Sequence, residues 1–208
     1  MKLHIFNPEH DIALAANQER FTAPHAGRRL RTDLGFIPAF WASEGDMVLV
    51  DDVEAAIEAR RHLSKFGKDV VFVTYADLKA FAFEDVESFQ VDPWGWDRTI
   101  KEQLLRANSN LQSFMPSDDT LAAIREMSSR RFAAEHLLPL LREAGEEKTI
   151  GEAHYCTTME KVKLTMAQNV KSVLKSPWSS SGRGVRYVET AAPDAHLEGW
   201  AANVVKRQ

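Results

Sequence analysis

The sequence has little of several features that define specialised classes of protein. Its 208 residues include one cysteine, which excludes an intramolecular disulfide and a thiolate metal cluster and favours a reducing compartment. No stretch approaches the roughly 18 apolar residues of a membrane-spanning helix. The net charge is only -4, so bulk attraction to nucleic acid or to an anionic membrane is not expected. A cytoplasmic globular protein is the class that remains.

The first half of the chain alternates between short apolar runs and helical patterns. Residues 2–7 predict a strand that opens into a polar turn, and residues 47–50 predict a buried strand. Asp52 is placed to cap a helix that follows, and residues 69–75 predict the next strand. A strand, a helix and a strand within about 30 residues are typical of parallel strands joined by a right-handed crossover. We therefore expect an α/β fold.

The second half has a different order of elements, and we place a domain boundary near Pro116, giving domains 1–115 and 116–208. Ser117 is a candidate cap for a helix, and residues 128–141 predict a second helix. Further elements are expected at residues 150–155 (strand), 159–167 (helix), 170–175 (strand) and 185–188 (strand). The pair Val204 and Val205 is typical of another strand.

The most informative motif follows the strand at residues 170–175. Lys175 closes an apolar strand, where burial of an unpaired ammonium is costly, so an anionic partner is expected. The small residues after it free backbone N–H groups to surround phosphate oxygens, and Arg183 adds a cation at the tip. A Walker A loop is excluded because the lysine precedes the loop, and a dinucleotide fingerprint is excluded because Tyr187 replaces its third glycine. An ordinary Ser/Gly hairpin with an extended surface lysine is the alternative.

These residues resemble the first lobe of the ATP-grasp family. The resemblance covers most of the chain in order of elements, whereas its specific letters lie only between Lys175 and Val185. It implies a Rossmann-like N-terminal domain followed by the first α+β lobe of an ATP-grasp module. It also implies that Lys175 contacts the phosphates of ATP, that Arg183 acts as the catalytic cation, and that a second basic residue, Arg131 or its neighbour Arg130, assists. The loop folding over the phosphates would comprise Ser179, Ser180, Ser181, Gly182, Arg183 and Gly184.

The resemblance implies ATP-dependent ligation of a small-molecule carboxylate through an acyl phosphate, which an amine or thiol then attacks. Basic side chains, backbone N–H groups and Mg²⁺ neutralise the transferring phosphoryl group in such reactions. The family's magnesium ligands lie in a second lobe, so we expect them downstream of Gln208. The chain is then the front part of a longer protein and inactive alone. A nucleotide-binding or assembly module without catalysis is the alternative, and a homodimer is compatible with either.

A polar cluster after the first strand offers a second candidate site. Ligands of open parallel sheets bind beyond the carboxyl ends of the strands, which makes Asn7, Glu9, His10 and Asp11 candidates for substrate binding. Asn7 and Asp11 are at least as well suited to completing the turn and capping the helical stretch at residues 12–17. A phosphohydrolase using His10 and Asp11 as a metal dyad is a further, less favoured alternative.

Three arginines on the following segment, Arg28, Arg29 and Arg31, also permit two interpretations. They form either a patch that binds an anionic substrate or the solvated face of a helix. The sequence favours the solvated face, because runs of exposed charge are more often solvated than functional.

Overall fold

The computed structural model describes residues 1–61, 65–83, 88–146, 148–179, 182–189 and 194–206. The chain divides into two compact units, Met1–Ile124 and Arg125–Gln208. The division falls within helix α6, Asp118–Met127, a little beyond the boundary expected near Pro116.

Unit 1, Met1–Ile124, is built on a four-stranded sheet with the strand order β3-β2-β1-β4. All of its strand pairs are parallel. The strands are β1 Lys2–Ile5, β2 Met47–Leu49, β3 Val71–Val73 and β4 Gln90–Pro93. The predicted α/β class with parallel strands is confirmed, and so are the strands expected at residues 2–7, 47–50 and 69–75.

Helices flank this sheet, and side-chain caps begin several of them. Asp52 Oδ1 accepts a hydrogen bond from the Ala55 N–H at 3.0 Å, which confirms the predicted cap. The α-helices are α1 His10–Ala16, α2 His25–Leu34, α3 Val53–Arg61, α4 Tyr75–Ala80, α5 Arg98–Ala107 and α6, with 3₁₀ turns at Ile37–Phe40 and Ser109–Phe114.

Alternation along the strands gives unit 1 a core on each face of its sheet. Leu3, Ile5 and Leu49 point to the face covered by α4 and α5. Val48 and Val50 point to the opposite face, which the first 3₁₀ turn and α3 cover. Because both faces are covered, the edge beyond the carboxyl ends of the strands is where a ligand can approach the sheet.

Unit 2, Arg125–Gln208, combines helices with a two-stranded antiparallel hairpin. Ser129 caps its first described helical segment by accepting a hydrogen bond from the Phe132 N–H at 3.1 Å. Its elements are α7 Arg130–Phe132, a π-helical turn Ala133–Leu137, α8 Leu138–Glu143, α9 Met159–Ala167, β5 Ser172–Lys175, β6 Val185–Val188 and α10 Ala195–Lys206. The predicted helix at 159–167 and both hairpin strands are confirmed.

Two strand predictions in unit 2 are wrong. Residues 150–155 form no strand, and residues 150–154 are exposed, Ile150 to 92%, so little burial of side chains favours a strand there. Val204 and Val205 belong to α10. Leu197 and Val205 both pack on the core of unit 2, and Ala201 lies between them and is buried. This four-residue spacing is helical, and it outweighs the strand preference of two adjacent valines.

No helix within the described ranges combines the length and the apolar character that crossing a bilayer requires.

Candidate functional site

One pocket of about 400 Å³ lies at the carboxyl edge of the parallel sheet of unit 1. After every strand of the sheet comes at least one residue that lines this pocket. Asn7 and Glu9 follow β1, Asp51 follows β2, Tyr75 follows β3, and Asp97 follows β4. Strand β1 has β2 on one side and β4 on the other. This is the point in an open parallel sheet where ligands bind, and the volume suits a small metabolite.

A half-buried arginine organises the wall of this pocket. The Arg31 side chain is 14% exposed and the Glu9 side chain 12%. Arg31 Nη1 donates to Glu9 Oε1 at 3.0 Å and to Gln103 Oε1 at 3.3 Å, while Nη2 donates to the Tyr75 hydroxyl at 2.7 Å. The Tyr75 hydroxyl donates in turn to Gln103 Oε1 at 2.9 Å. The guanidinium is therefore fixed by partners from α4, α5 and the turn after β1.

The surroundings shift the pKa values of this network. Burial lowers the pKa of Arg31, but interactions with Tyr75 and Glu9 outweigh burial and hold that pKa above its ordinary value. Burial raises the pKa of Tyr75, and the nearby Arg31 opposes the rise only in part. Arg31 is thus a permanent cation, and Tyr75 stays a neutral hydroxyl at neutral pH.

A second set of polar side chains lies on the segments that follow β1 and β4. His10 Nδ1 is 3.1 Å from Asp97 Oδ2, and Asp97 is 4% exposed. Asn7 exchanges hydrogen bonds with Gly95, donating to its carbonyl at 2.8 Å and accepting from its N–H at 3.2 Å. A side chain at Gly95 would collide with the imidazole, because an added Cβ would lie 2.3 Å from His10 Cδ2. The absence of a side chain at Gly95 thus makes room for the His10 ring.

The residues predicted to bind substrate are only partly brought together. Asn7 lines the pocket, whereas His10 and Asp11 are not among its lining residues. His10 pairs with Asp97 and Asp11 is exposed, and the phosphohydrolase alternative stays a prediction. The solvated-face interpretation is wrong for Arg31, which is buried in the network.

Sequence reasoning missed Asp97, Tyr75 and Gln103. A signal existed for Asp97, because an aspartate directly before a helical pattern is a typical N-cap, and its Oδ1 accepts from the Ile100 N–H at 2.9 Å. Tyr75 and Gln103 carry no local signal, since their partner Arg31 is distant in the sequence.

The lysine hairpin of unit 2 forms as predicted. Strands β5 and β6 pair antiparallel, with Lys175 opposite Val185, and the Ser176 N–H donates to the Gly184 carbonyl at 2.8 Å. The Lys175 side chain is exposed. The expectation that burial forces this lysine to take an anionic partner is therefore wrong, although its position beside the loop is as expected.

Arg130 holds the loop after β5. Its Nη1 donates to the Ser176 carbonyl and, at 2.9 Å, to Ser179 Oγ, while its Nη2 donates to the Ser179 carbonyl at 3.1 Å. The opposite side of the loop is close-packed, because a Cβ added to Gly184 would lie 2.4 Å from Ser179 Oγ. Gly182 has a φ of 70°, a left-handed conformation that favours glycine.

A pocket of about 480 Å³ lies beside this hairpin within unit 2. Lys175 and Arg131 line it together with apolar residues that include Met166, Leu174 and Val204. Arg131 is paired with Glu126 and lies over the Tyr155 ring, 5.6 Å from its centroid. The lining does not include Arg183, which is exposed at the turn, and the predicted loop residues Ser180 and Ser181 lie outside the described residues.

The described residues thus form an α/β fold with one pocket at the carboxyl edge of a parallel sheet and a second pocket, lined in part by Lys175 and Arg131, beside a hairpin. No protein-family model, curated protein or solved structure matches the chain.

Proposed function

We propose that unit 2 binds the phosphates of ATP at the β5–β6 hairpin and that the chain serves ATP-grasp-like ligase chemistry on a small-molecule carboxylate. The observation that carries the proposal is the position of Lys175. Its side chain lines the pocket beside the loop, and no ion pair or hydrogen bond joins its ammonium to another described residue. A lysine left unpaired beside a glycine-containing loop is suited to phosphate oxygens.

The remaining loop contacts support the same proposal. Arg130 fixes Ser176 and Ser179, so this side of the loop is already ordered before a nucleotide arrives. Arg183, exposed at the turn, is the cation assigned to the transferring phosphoryl group, where positioned positive charge lowers the barrier. The apolar wall of the pocket offers a surface for the adenine ring.

Magnesium enters the proposal only as the partner of the ATP phosphates. Within the described ranges, no three His, Cys, Asp or Glu side chains form a group that could hold a metal ion. We therefore assign the metal to none of these residues and derive no step from it.

Titration of the 208-residue chain with ATP by calorimetry, with and without magnesium, tests the proposal. We expect Lys175→Ala to weaken binding by at least about ten-fold, because the lysine makes a charge-assisted contact. Lys161→Ala is the matched control, since Lys161 is an exposed lysine on α9 that does not line the pocket. Equal affinity of Lys175→Ala and the unmodified chain would remove the main support for a nucleotide site.

A further inference from the structure

The pocket of unit 1 is lined by side chains of both charges. Arg28 and Arg31 line it from α2, and their three-residue spacing places them on one face of that helix. Glu9 and Asp51 line it from the segments that follow β1 and β2, and each contacts α2, Glu9 through Arg31 and Asp51 through the Thr32 hydroxyl. A ligand that meets both charges needs an anionic group and a cationic group.

The pair of Arg31 and Glu9 fixes the geometry of the pocket wall and lowers the stability of the fold. Arg31 and Glu9 are paired deep in the wall, and Glu9 Oε2 has no hydrogen-bond partner among the described residues. A buried acceptor without a donor destabilises the fold, and an apolar pair is often at least as stable as an ion pair removed from water. Such an arrangement at a pocket is typical of a site kept for binding.

The exposed members are available to a ligand. Arg28 is exposed, and its guanidinium makes no ion pair or hydrogen bond with another described residue. Asp51 is also exposed, and its Oδ2 accepts a hydrogen bond from the Thr32 hydroxyl at 2.6 Å. Asp97, a further lining carboxylate, is already paired with His10. Among the described residues that line the pocket, the cation without a partner is thus Arg28, and the exposed carboxylate is Asp51.

We propose that this pocket binds a free amino acid, with the carboxylate of the ligand on Arg28 and its ammonium on Asp51. Arg31 is a positioning residue that holds α2, and with it Arg28, in place through Glu9, Tyr75 and Gln103. A ligand with two negative charges, such as inorganic phosphate, would be repelled by Asp51 and Glu9. The apolar part of the lining, which includes Phe21 and Ile100, receives the side chain of the ligand.

The proposal rests on the proposed function only in one respect, that the amino acid would be the carboxylate substrate. Binding itself needs no nucleotide, so it is measured on the 208-residue chain without ATP. A failure here leaves the ATP titration intact, and a failure of ATP binding leaves this measurement intact.

The test is calorimetric titration with each of the standard L-amino acids. The best binder is then compared with its analogue lacking the amino group, its analogue lacking the carboxyl group, and inorganic phosphate. We expect at least one amino acid to bind and each analogue to bind at least about ten-fold more weakly, since each loses one charge-assisted contact. Absence of binding by every amino acid, equal binding of an analogue, or preferred binding of phosphate would overturn the proposal.

Paired variants assign the two contacts. Arg28→Gln is compared with Arg29→Gln, because Arg29 is the exposed neighbour that does not line the pocket. Asp51→Asn is compared with Asp33→Asn, another exposed aspartate outside the lining. We expect Asp51→Asn to weaken the amino acid about ten-fold while leaving the affinity of the deaminated analogue unchanged or stronger, which a general loss of structure would not do. Equal effects of the pocket variants and their controls would contradict the assignment.

Discussion

The Asp97 carboxylate connects the imidazole of His10 to the start of α5. Its Oδ2 lies 3.1 Å from His10 Nδ1, and its Oδ1 accepts the Ile100 N–H at 2.9 Å. One buried side chain thus fixes the segments that follow β1 and β4. From β1 the chain adds β2 and β3 on one side and β4 on the other, so the order of strands reverses between β1 and β4.

Replacement of Asp97 by alanine should destabilise unit 1 strongly. It removes a helix cap, which costs about 1 kcal/mol, and leaves a half-buried imidazole without its partner, which adds about 1–3 kcal/mol. Asp97→Asn retains a capping oxygen and should cost less. The measurement is the free energy of unfolding in urea, with Thr74→Ala as a control that removes only the exposed cap of α4. Equal losses for Asp97→Ala and Thr74→Ala would show that the His10 contact contributes nothing.

Gly95→Ala should displace the His10 ring. The new Cβ would lie 2.3 Å from His10 Cδ2, so the imidazole must leave its position beside Asp97, at a cost of about 1–3 kcal/mol. The readouts are the free energy of unfolding and the NMR signal of the His10 ring. Gly27→Ala is the matched control, because its added Cβ makes only an ordinary contact of 3.6 Å with Glu9 Cβ. An unchanged His10 signal in Gly95→Ala would disprove the close contact.

Gly184→Ala should open the hairpin loop of unit 2. The added Cβ would meet Ser179 Oγ at 2.4 Å and Ser179 Cβ at 2.5 Å, so the serine must move away from Arg130. We expect a loss of about 1–3 kcal/mol in unfolding free energy. Gly199→Ala in α10 is the opposite case, since nothing lies within 4 Å of its added Cβ. Alanine there should stabilise the helix by about 0.5–1 kcal/mol. Similar effects of the two variants would contradict the loop geometry.

Asp46 makes the stability of unit 1 depend on pH. Burial raises the pKa of its carboxyl, but hydrogen bonds from the Lys2 and Ser43 N–H groups and from His4 outweigh burial and hold that pKa below its ordinary value. Because the folded pKa is below the unfolded one, about 3.9, the stabilisation is complete above the unfolded pKa. It is lost as the pH falls through the folded pKa.

We therefore expect Asp46→Asn to lower the unfolding free energy by about 1–3 kcal/mol at pH 7. The difference from the unmodified chain should disappear in acid, below the folded pKa of Asp46. Urea unfolding of Asp46→Asn and of the unmodified chain, measured from pH 7 to pH 2.5, would show the loss at pH 7 and its disappearance in acid. Asp33→Asn, which removes an exposed pair with Arg29, should change stability by less than about 0.5 kcal/mol at every pH. A difference for Asp46→Asn that stays constant down to pH 2.5 would contradict the shifted pKa.

Local patterns were enough to predict much of the framework. Runs of apolar residues predicted β1, β2 and β3, and caps at Asp52 and Ser117 predicted helix starts, because these signals depend on neighbours in the sequence. Strand β4 was missed, since it pairs with β1 only at its edge of the sheet and ends in Pro93, a residue that weakens a strand pattern.

The candidate site was harder to predict because its contacts are distant in the sequence. Asn7 and Glu9 could be placed at the carboxyl edge from the strand that precedes them. The burial of Arg31 could not, since it depends on Tyr75 and Gln103, which only the folded sheet brings within reach. Several arginines close together on a helix give the sequence pattern of a solvated face, even when one of them bonds to residues that are distant in the sequence.

The strand order β3-β2-β1-β4 also has a consequence for synthesis of the chain. β1 occupies an inner position, and its last partner is β4, with Ile5 opposite Pro93. At about 5–20 residues per second, the ribosome needs several seconds to deliver β4 after β1 has emerged. Until then one edge of β1 has unpaired N–H and C=O groups, the kind of edge that attracts other chains. The growing chain therefore passes through an interval in which it is most open to aggregation and to chaperones.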